Sequence, residues 1–319
     1  VINQSVDSLD PQTSHLPATC LPISVTLIEV GLRDGLQRLE PYIPVDQKVS
    51  MLNGLINAGL TSIQVTSFVH PKWVPQMADA EEICAQLPPK GEPKRDALTL
   101  SGLALNLRGV ERAIAAGLDA VDMSFAATET FSQKNTNCGI EDGLLRMQEM
   151  SALAKEAGLR VRIGLMVAFG CAYEGHVPIK RVVELTQHIV DMDVDEVVLA
   201  DSAGHGNPLQ VEQTIEAIRP IVGDLPLILH LHDTRGMGIA NLYAGLRQGV
   251  TRFDTAFGGL GGCPFIKAAK GNIATEDSAF MLQELGIEHG IDLAAVAAIS
   301  RAFQEETGIQ LPGKLLDIL

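Results

Sequence analysis

The sequence predicts an α/β protein, a closed (β/α)8 barrel of the TIM type with additional C-terminal helices, and three observations predict it. Short β-branched runs alternate with Ala-, Leu- and Glu-rich stretches eight times along the chain. Each alternation takes roughly thirty residues, the size of one βα unit, and no Pro/Ser linker or low-complexity stretch breaks the rhythm. The 319 residues fit one barrel of roughly 250 residues plus extensions. A doubly wound open sheet is the alternative reading of the same rhythm.

The first strand is expected to start near Val25, in Val25-Thr26-Leu27-Ile28-Glu29-Val30, and the helix after it to run over 45–58 and stop at Gly59. Strand two starts near Ser62 and is followed by a helix over 77–86. Strand three starts near Leu98, with a helix over 109–116 closed by Gly117, and strand four near Ala120, with a helix over 140–157 closed by Gly158. Strands five, six and seven start near Arg160, Glu196 and Leu227, with helices over 179–192, 208–221 and 237–248, the last closed by Gly249. Strand eight starts near Arg252, and helices over 277–285 and 293–305 finish and extend the barrel. Residues 1–22 carry no apolar centre and are expected to be a flexible tail, leaving 23–319 as a single catalytic barrel.

Composition narrows the function. Hydrophobic residues make up 46% and charged residues 20%, which suits a folded protein with a large core and excludes general disorder. The 24 basic residues against 39 acidic ones give a net charge of −15, which repels nucleic acid and anionic membrane surfaces. No apolar run reaches the roughly 18 residues of a spanning helix. The five cysteines are odd in number and scattered, so free thiols in a reducing, cytoplasmic compartment are expected, and the chain is expected to form a homo-oligomer, a dimer.

A barrel places its chemistry at the carboxyl ends of its strands and in the loops that follow. Polar clusters stand there: Arg33-Asp34 after strand one, Thr66-Ser67 after strand two, Asn106 after strand three, Asp201-Ser202 after strand six and His230-Leu231-His232-Asp233 after strand seven. In His230-Leu231-His232 the strand period of two sends both imidazoles to one face, and with Asp34 they make a nitrogen and oxygen donor set for a divalent ion. A purely structural histidine pair is the alternative. Arg33 and Asp34 read either as an ion pair closing a loop or as an oxyanion-stabilising guanidinium beside a metal-ligating carboxylate. Gly258 to Pro264 puts four glycines around Cys263, either a turn with an inert thiol or a lid carrying an acid or base. Asn272 is either a further ligand or a helix cap. No nucleophile elbow, H-E-x-x-H or dinucleotide G-x-G-x-x-G pattern occurs.

Taken together, Arg33-Asp34-Gly35-Leu36-Gln37, Thr66 to Met77, Cys171-Ala172-Tyr173-Glu174-Gly175, His230-Leu231-His232-Asp233-Thr234 and Gly259-Leu260-Gly261-Gly262-Cys263-Pro264 closely resemble the 3-hydroxy-3-methylglutaryl-CoA lyases, metal-dependent TIM-barrel enzymes, over about residues 25–285. The resemblance implies cleavage of a 3-hydroxyacyl-CoA into acetyl-CoA and a keto acid. It implies Mg²⁺ or Mn²⁺ held by Asp34, His230, His232 and Asn272, and enolate support from Arg33. It further implies catalytic contributions from Asp201 and His230, and a mobile loop carrying Cys263. Gln37, Ser67, Asn106, Lys134 and Asn137 are the expected substrate-binding residues, with Lys134, Asn135 and Asn137 facing the thioester arm. Three positions depart from the family pattern: Gln64 stands where a glutamate is usual, Leu32 replaces a proline, and Arg235 replaces the tyrosine of the animal enzymes. They leave a related substrate such as citramalyl-CoA, or a non-catalytic binding barrel, as alternatives. A Claisen synthase of the isopropylmalate type is expected to need an accessory domain, and barrel-type metal hydrolases carry H-x-H on the first strand rather than the seventh.

Overall fold

The computed structural model describes residues 21–261 and 271–319. Eight parallel strands close into a barrel in sequence order: β1 (Thr26–Glu29), β2 (Ser62–Ser67), β3 (Thr99–Leu103), β4 (Ala120–Ala126), β5 (Arg160–Met166), β6 (Glu196–Asp201), β7 (Leu227–Leu231) and β8 (Arg252–Thr255). Closure is made by β1 and β8, which pair from Thr26↔Arg252 to Glu29↔Thr255. The doubly wound alternative is thereby excluded, because an open sheet leaves its two edge strands unpaired.

The strand period of two divides the residues into two shells. Outward-facing Leu27, Val121, Val161, Ile163, Leu165, Val197, Leu199, Leu229 and Phe253 join one apolar cluster with the surrounding helices. Inside the barrel only Ile28, Val30, Val198 and Ile228 form a separate apolar cluster. Arg162, Asp122, Glu196 and Asp254, all buried and charged, pair with one another by ion contacts.

The outer layer comprises α1 (Val45–Asn57), α2 (Ala80–Cys84), α3 (Pro93–Asp96), α4 (Leu107–Ala115), α5 (Glu129–Thr136), α6 (Ile140–Glu156), α7 (Ile179–Val190), α8 (Pro208–Val222) and α9 (Gly238–Arg247), followed by α10 (Thr275–Glu284) and α11 (Leu293–Thr307). The helix expected over 77–86 is broken into a 3₁₀ turn, Pro75–Met77, and the short α2. The break falls where Asp79 is held from outside its own helix, by Lys48 Nζ at 2.7 Å and the Tyr42 hydroxyl at 2.7 Å. After β1 the chain makes a π-helical turn, Gly31–Gly35, in which the N–H groups of Arg33, Asp34 and Gly35 all point at Val30 O. Gly31 starts it because a Cβ there would lie 2.6 Å from both Glu29 Oε1 and the Phe257 ring. Residues 1–20 of the expected tail lie outside the described residues. Among the described residues no helix is long and apolar enough to cross a membrane.

Candidate active site

Register brings the site together. His230 and His232 face inward at the carboxyl end of β7, their Nε2 atoms 3.1 Å apart. The strand's last residues are extended by a short backbone pairing in which Asp233 N donates to Gly271 O and Ile273 N to Leu231 O, both at 3.0 Å. That pairing sets Asn272 opposite His232. From the other side the π turn after β1 delivers Asp34, whose Oδ2 accepts from Asn272 Nδ2 at 2.8 Å and lies 3.9 Å from His232 Nε2. Asp34 Oδ1 accepts from Arg33 Nη1 at 2.7 Å and Gln37 Nε2 at 3.0 Å. Arg33 Nε donates to the Gln64 side-chain oxygen on β2. The departure from the family glutamate thus keeps a partner for Arg33 while removing a negative charge.

Asp34, His230 and His232 can each offer a ligand atom within 4.8 Å of the others. The charge states match a cation. Burial alone would raise the Asp34 carboxyl, but Arg33, His230, His232 and the Asn272 amide outweigh it and hold it well below the usual carboxylate range. Burial, reinforced by His230 and Arg33 and opposed by Asp34, lowers His232 to about 4, so its ring is neutral at pH 7 and retains a lone pair. Asn272 directs both described side-chain bonds from Nδ2, to Asp34 and to Leu260 O, and leaves its buried Oδ1 without a hydrogen-bond partner among the described residues. A buried amide oxygen left open beside a carboxylate and two imidazoles fits a divalent ion with mixed oxygen and nitrogen ligands. On that test the residues fit a divalent cation.

These groups open into a cavity of about 1070 Å³. Arg33, Asp34, Gln37, Ser67, Asn106, Lys134, Asn137, His230 and His232 all line it. Within it Asn106 also caps α4, accepting from Gly109 N at 2.8 Å, and Lys134 Nζ stands 5.0 Å from the Tyr173 ring centroid. Asn137 ends α5 in the left-handed conformation, φ 52°. Asp201 is placed differently. It follows Leu199 on the outward face of β6, is fully buried, and its two oxygens accept from His205 N and Gly206 N at 2.9 Å each, whereas its neighbours Ala200 and Ser202 line the cavity. Burial pushes its carboxyl up to about 6 against those two bonds and the nearby Arg235 and His230. Cys263 and the rest of 262–270 lie outside the described residues. Arg235 Nη1 donates to Ala203 O and Gly204 O, at 2.8 and 3.0 Å, and so fastens the loop after β6.

Sequence reasoning missed Asp254 and Arg162, which also line the cavity. Asp254 Oδ2 lies 3.0 Å from His230 Nδ1. Their signal was a charged residue in mid-strand among apolar ones, as in Arg160-Val161-Arg162-Ile163 and Arg252-Phe253-Asp254-Thr255.

The comparisons agree with the geometry. The family model described as HMGL-like matches residues 24–302. The hydroxymethylglutaryl-CoA lyase of Bacillus subtilis is 36% identical over 297 residues, covering 93% of this chain and 98% of the relative. The mitochondrial hydroxymethylglutaryl-CoA lyase of Macaca fascicularis is 40% identical over 273 residues, 86% of this chain and 82% of the relative. Among solved structures, the Bacillus subtilis HMG-CoA lyase superposes with TM-score 0.89 at 36% identity, covering 93% of this chain and 98% of that one. An HMG-CoA lyase from Acinetobacter baumannii, in complex with coenzyme A and 3-methylmalate, gives 0.87 at 32% identity, over 92% and 95%. The relatives include cytoplasmic as well as mitochondrial forms.

Proposed function

The chain belongs to the HMGL-like family of carbon–carbon lyases, and on that footing we propose that it cleaves 3-hydroxy-3-methylglutaryl-CoA to acetyl-CoA and acetoacetate at a divalent-metal site. The observation that carries the reading is the convergence of Asp34, His230 and His232 within 4.8 Å beside the open Asn272 Oδ1. These four residues would hold Mg²⁺ or Mn²⁺, which when bound supplies Lewis-acid polarisation of the substrate's oxygens.

The protein's own groups supply most of the rest. In a retro-Claisen cleavage the bond between C2 and C3 breaks, its electron pair moves onto the thioester as an enolate, and the C3 hydroxyl loses its proton as that carbon becomes a carbonyl. The permanently charged Arg33, held by Gln64 and Asp34, provides the cation for the developing enolate oxygen. His230, steadied through Nδ1 by Asp254, has one free lone pair, on Nε2, which would go to the ion, so the C3 hydroxyl proton is assigned to water in the cavity. Asp201, with both oxygens bonded to backbone N–H, acts by bracing the loop after β6 beside the cavity. Proton return to C2, which completes acetyl-CoA, is the role proposed for Cys263.

The rest of the cavity suits the long anionic thioester. Arg38, Lys134 and Arg146 line its walls and place positive charge where a phosphate-bearing arm would run, against an overall charge of −15. Asn106 and Asn137 offer amides along the same wall. Free, buried Cys84, Cys138 and Cys171 support a reducing compartment, which we take to be the cytoplasm.

The test is incubation of the metal-stripped protein with 3-hydroxy-3-methylglutaryl-CoA, and in parallel citramalyl-CoA, with and without Mg²⁺ or Mn²⁺, following acetyl-CoA by mass spectrometry. The expected result is ion-dependent release of acetyl-CoA and acetoacetate from the first ester. Release without any ion would remove the metal from the reading, and preference for the second ester would reassign the substrate.

A further inference from the structure

The barrel interior holds a charge network of which the cleavage draws on one contact only, that of Asp254 with His230. Arg162 extends inward from β5 and is 2% exposed. It pairs on each side with its register neighbour: Nη1 with Asp122 Oδ1 on β4 and Nε with Glu196 Oε2 on β6, both at 3.0 Å. Its remaining nitrogen, Nη2, crosses the lumen and donates to Asp254 Oδ1 on β8 at 3.1 Å. The other oxygen of Asp254, Oδ2, lies 3.0 Å from His230 Nδ1, on the residue that pairs with Asp254 across the β7–β8 ladder. Each oxygen of Asp254 therefore has its own partner.

A buried ion cluster is a weak source of net stability, because desolvation offsets most of its attraction. Its geometric effect here is definite. Guanidinium only donates, so it fixes Oδ1 as an acceptor, and a carboxylate so anchored presents Oδ2 to the imidazole as an acceptor too. We infer that Arg162 and Asp254 are positioning residues that lock His230 as its Nδ1–H tautomer and so present its Nε2 lone pair to the cavity. Two inward faces of the barrel, β5 and β8, are thereby coupled to the orientation of one ring.

Asp254→Asn changes the choice of tautomer in a definite direction. An amide has a single oxygen, and it cannot serve both partners. Arg162 takes that oxygen, the amide nitrogen turns to His230 Nδ1, and the imidazole must shift its proton to Nε2 to accept there. The proton then points at His232 Nε2, 3.1 Å away, and the lone pair is lost from the cavity. An aspartate-to-asparagine change that leaves the fold intact but imposes the wrong histidine tautomer is known to abolish most activity in a serine-protease triad. In Arg162→Lys/Asp254→Asn the reaching fork is gone while a cation remains for Asp122 and Glu196. The amide oxygen is then free to turn back to His230.

The ring proton is read in metal-free, ¹⁵N-histidine-labelled protein by long-range ¹H–¹⁵N correlation, with circular dichroism confirming the fold of each variant. Binding of Mn²⁺ is titrated by electron paramagnetic resonance. The wild type should show His230 protonated at Nδ1, and Asp254→Asn should show it at Nε2 with Mn²⁺ affinity reduced about 10- to 100-fold. The double variant should return the proton to Nδ1 and recover affinity, a reversal that simple loss of packing does not produce. Asp122→Asn, which alters the network but leaves both Asp254 oxygens in place, should keep Nδ1–H. A wild-type His230 protonated at Nε2 overturns the inference without recourse to any variant, and so does an Asp254→Asn protein that keeps Nδ1–H. The affinity arm rests on the proposed metal site. A wild type that binds no Mn²⁺ would defeat that site, while the tautomer assignments would still decide this inference.

Discussion

Glu29 shows how one residue at the end of β1 ties the site's supports together. Its Oε1 accepts from Gly31 N at 2.7 Å and Phe257 N at 3.1 Å, and its Oε2 lies 2.7 Å from the Thr275 hydroxyl, which in turn is 2.8 Å from Thr255 Oγ1. Burial pushes the carboxyl up to about 8, with the three hydrogen bonds opposing and Glu276 adding to the rise. The folded chain therefore binds a proton at Glu29 that the unfolded chain, near the ordinary value of 4.5, has released. This contribution to stability is complete below pH 4.5, declines as pH rises, and is gone above about 8. Glu29→Gln copies the protonated form, since its oxygen serves the two backbone N–H groups and its nitrogen donates to Thr275, which passes its own hydrogen to Thr255. Denaturant titrations of the two proteins should nearly coincide at pH 5. They should diverge in favour of Glu29→Gln by on the order of 2 to 4 kcal/mol by pH 9. A pH-independent difference would mean that Glu29 is ionised throughout.

At the scale of elements, the segment 271–274 matters because it carries Asn272 to Asp34. Gly271 lies against the backbone of the loop after β8, where an added Cβ would come 2.1 Å from Gly259 O and 2.7 Å from Leu260 C. Neither atom is the end of a flexible side chain, so Gly271→Ala must displace the segment and, with it, the Asn272–Asp34 bond. The expected outcome is a loss of about 1 to 3 kcal/mol in thermal unfolding together with weakened Mn²⁺ binding. Gly143→Ala in α6, where the new methyl meets only Cys138 Sγ and Phe125 Cβ at 3.9 Å, should instead stabilise by about 0.5 to 1 kcal/mol and leave Mn²⁺ binding alone. Equal effects of the two substitutions on binding would dissociate Asn272 from the ion.

The strands were legible for a physical reason: a β-branched run bounded by turn residues leaves little freedom in where pairing starts. Six of the eight begin at the expected residue, while β1 and β3 begin one later, at Thr26 and Thr99. The His230/His232 face followed from the period of two, and the same period, applied to Leu199 and Asp201, tells that Asp201 faces outward. The π turn at Gly31–Gly35, α3, α5 and the break at Asp79 were not legible, because distant partners shape them; the break, for instance, depends on Lys48 and Tyr42. Arg162 and Asp254 were visible as mid-strand charges, yet their meeting across the lumen depends on barrel closure, which no local pattern encodes.

Over the whole molecule, stability and chemistry are divided between the two faces of the same strands. The outward face carries the continuous apolar shell, and the inward face carries most of the polar groups with only four apolar residues in their own cluster. Leu229 tests this division most directly, since it sits beside His230 on β7 but faces outward and is fully buried. It packs against α9, where a Cβ on Gly245 would lie 2.6 Å from Leu229 Cδ1. Leu229→Ala removes apolar contact from a shell that cannot close over the gap without moving that helix, and should cost about 2 to 5 kcal/mol. For a chain of this size each kcal/mol lowers the melting temperature by about 2 to 4 °C. Calorimetry should therefore show a drop of several degrees or more, while kcat for acetyl-CoA release at 25 °C stays at the wild-type value. The strand is held in place by its ladders to β6 and β8, which the substitution leaves intact, so His230 keeps its position relative to Asp254. If kcat instead fell in step with stability, the packing of the outer shell would be setting the geometry of the histidine pair, and the two faces would be one cooperative unit.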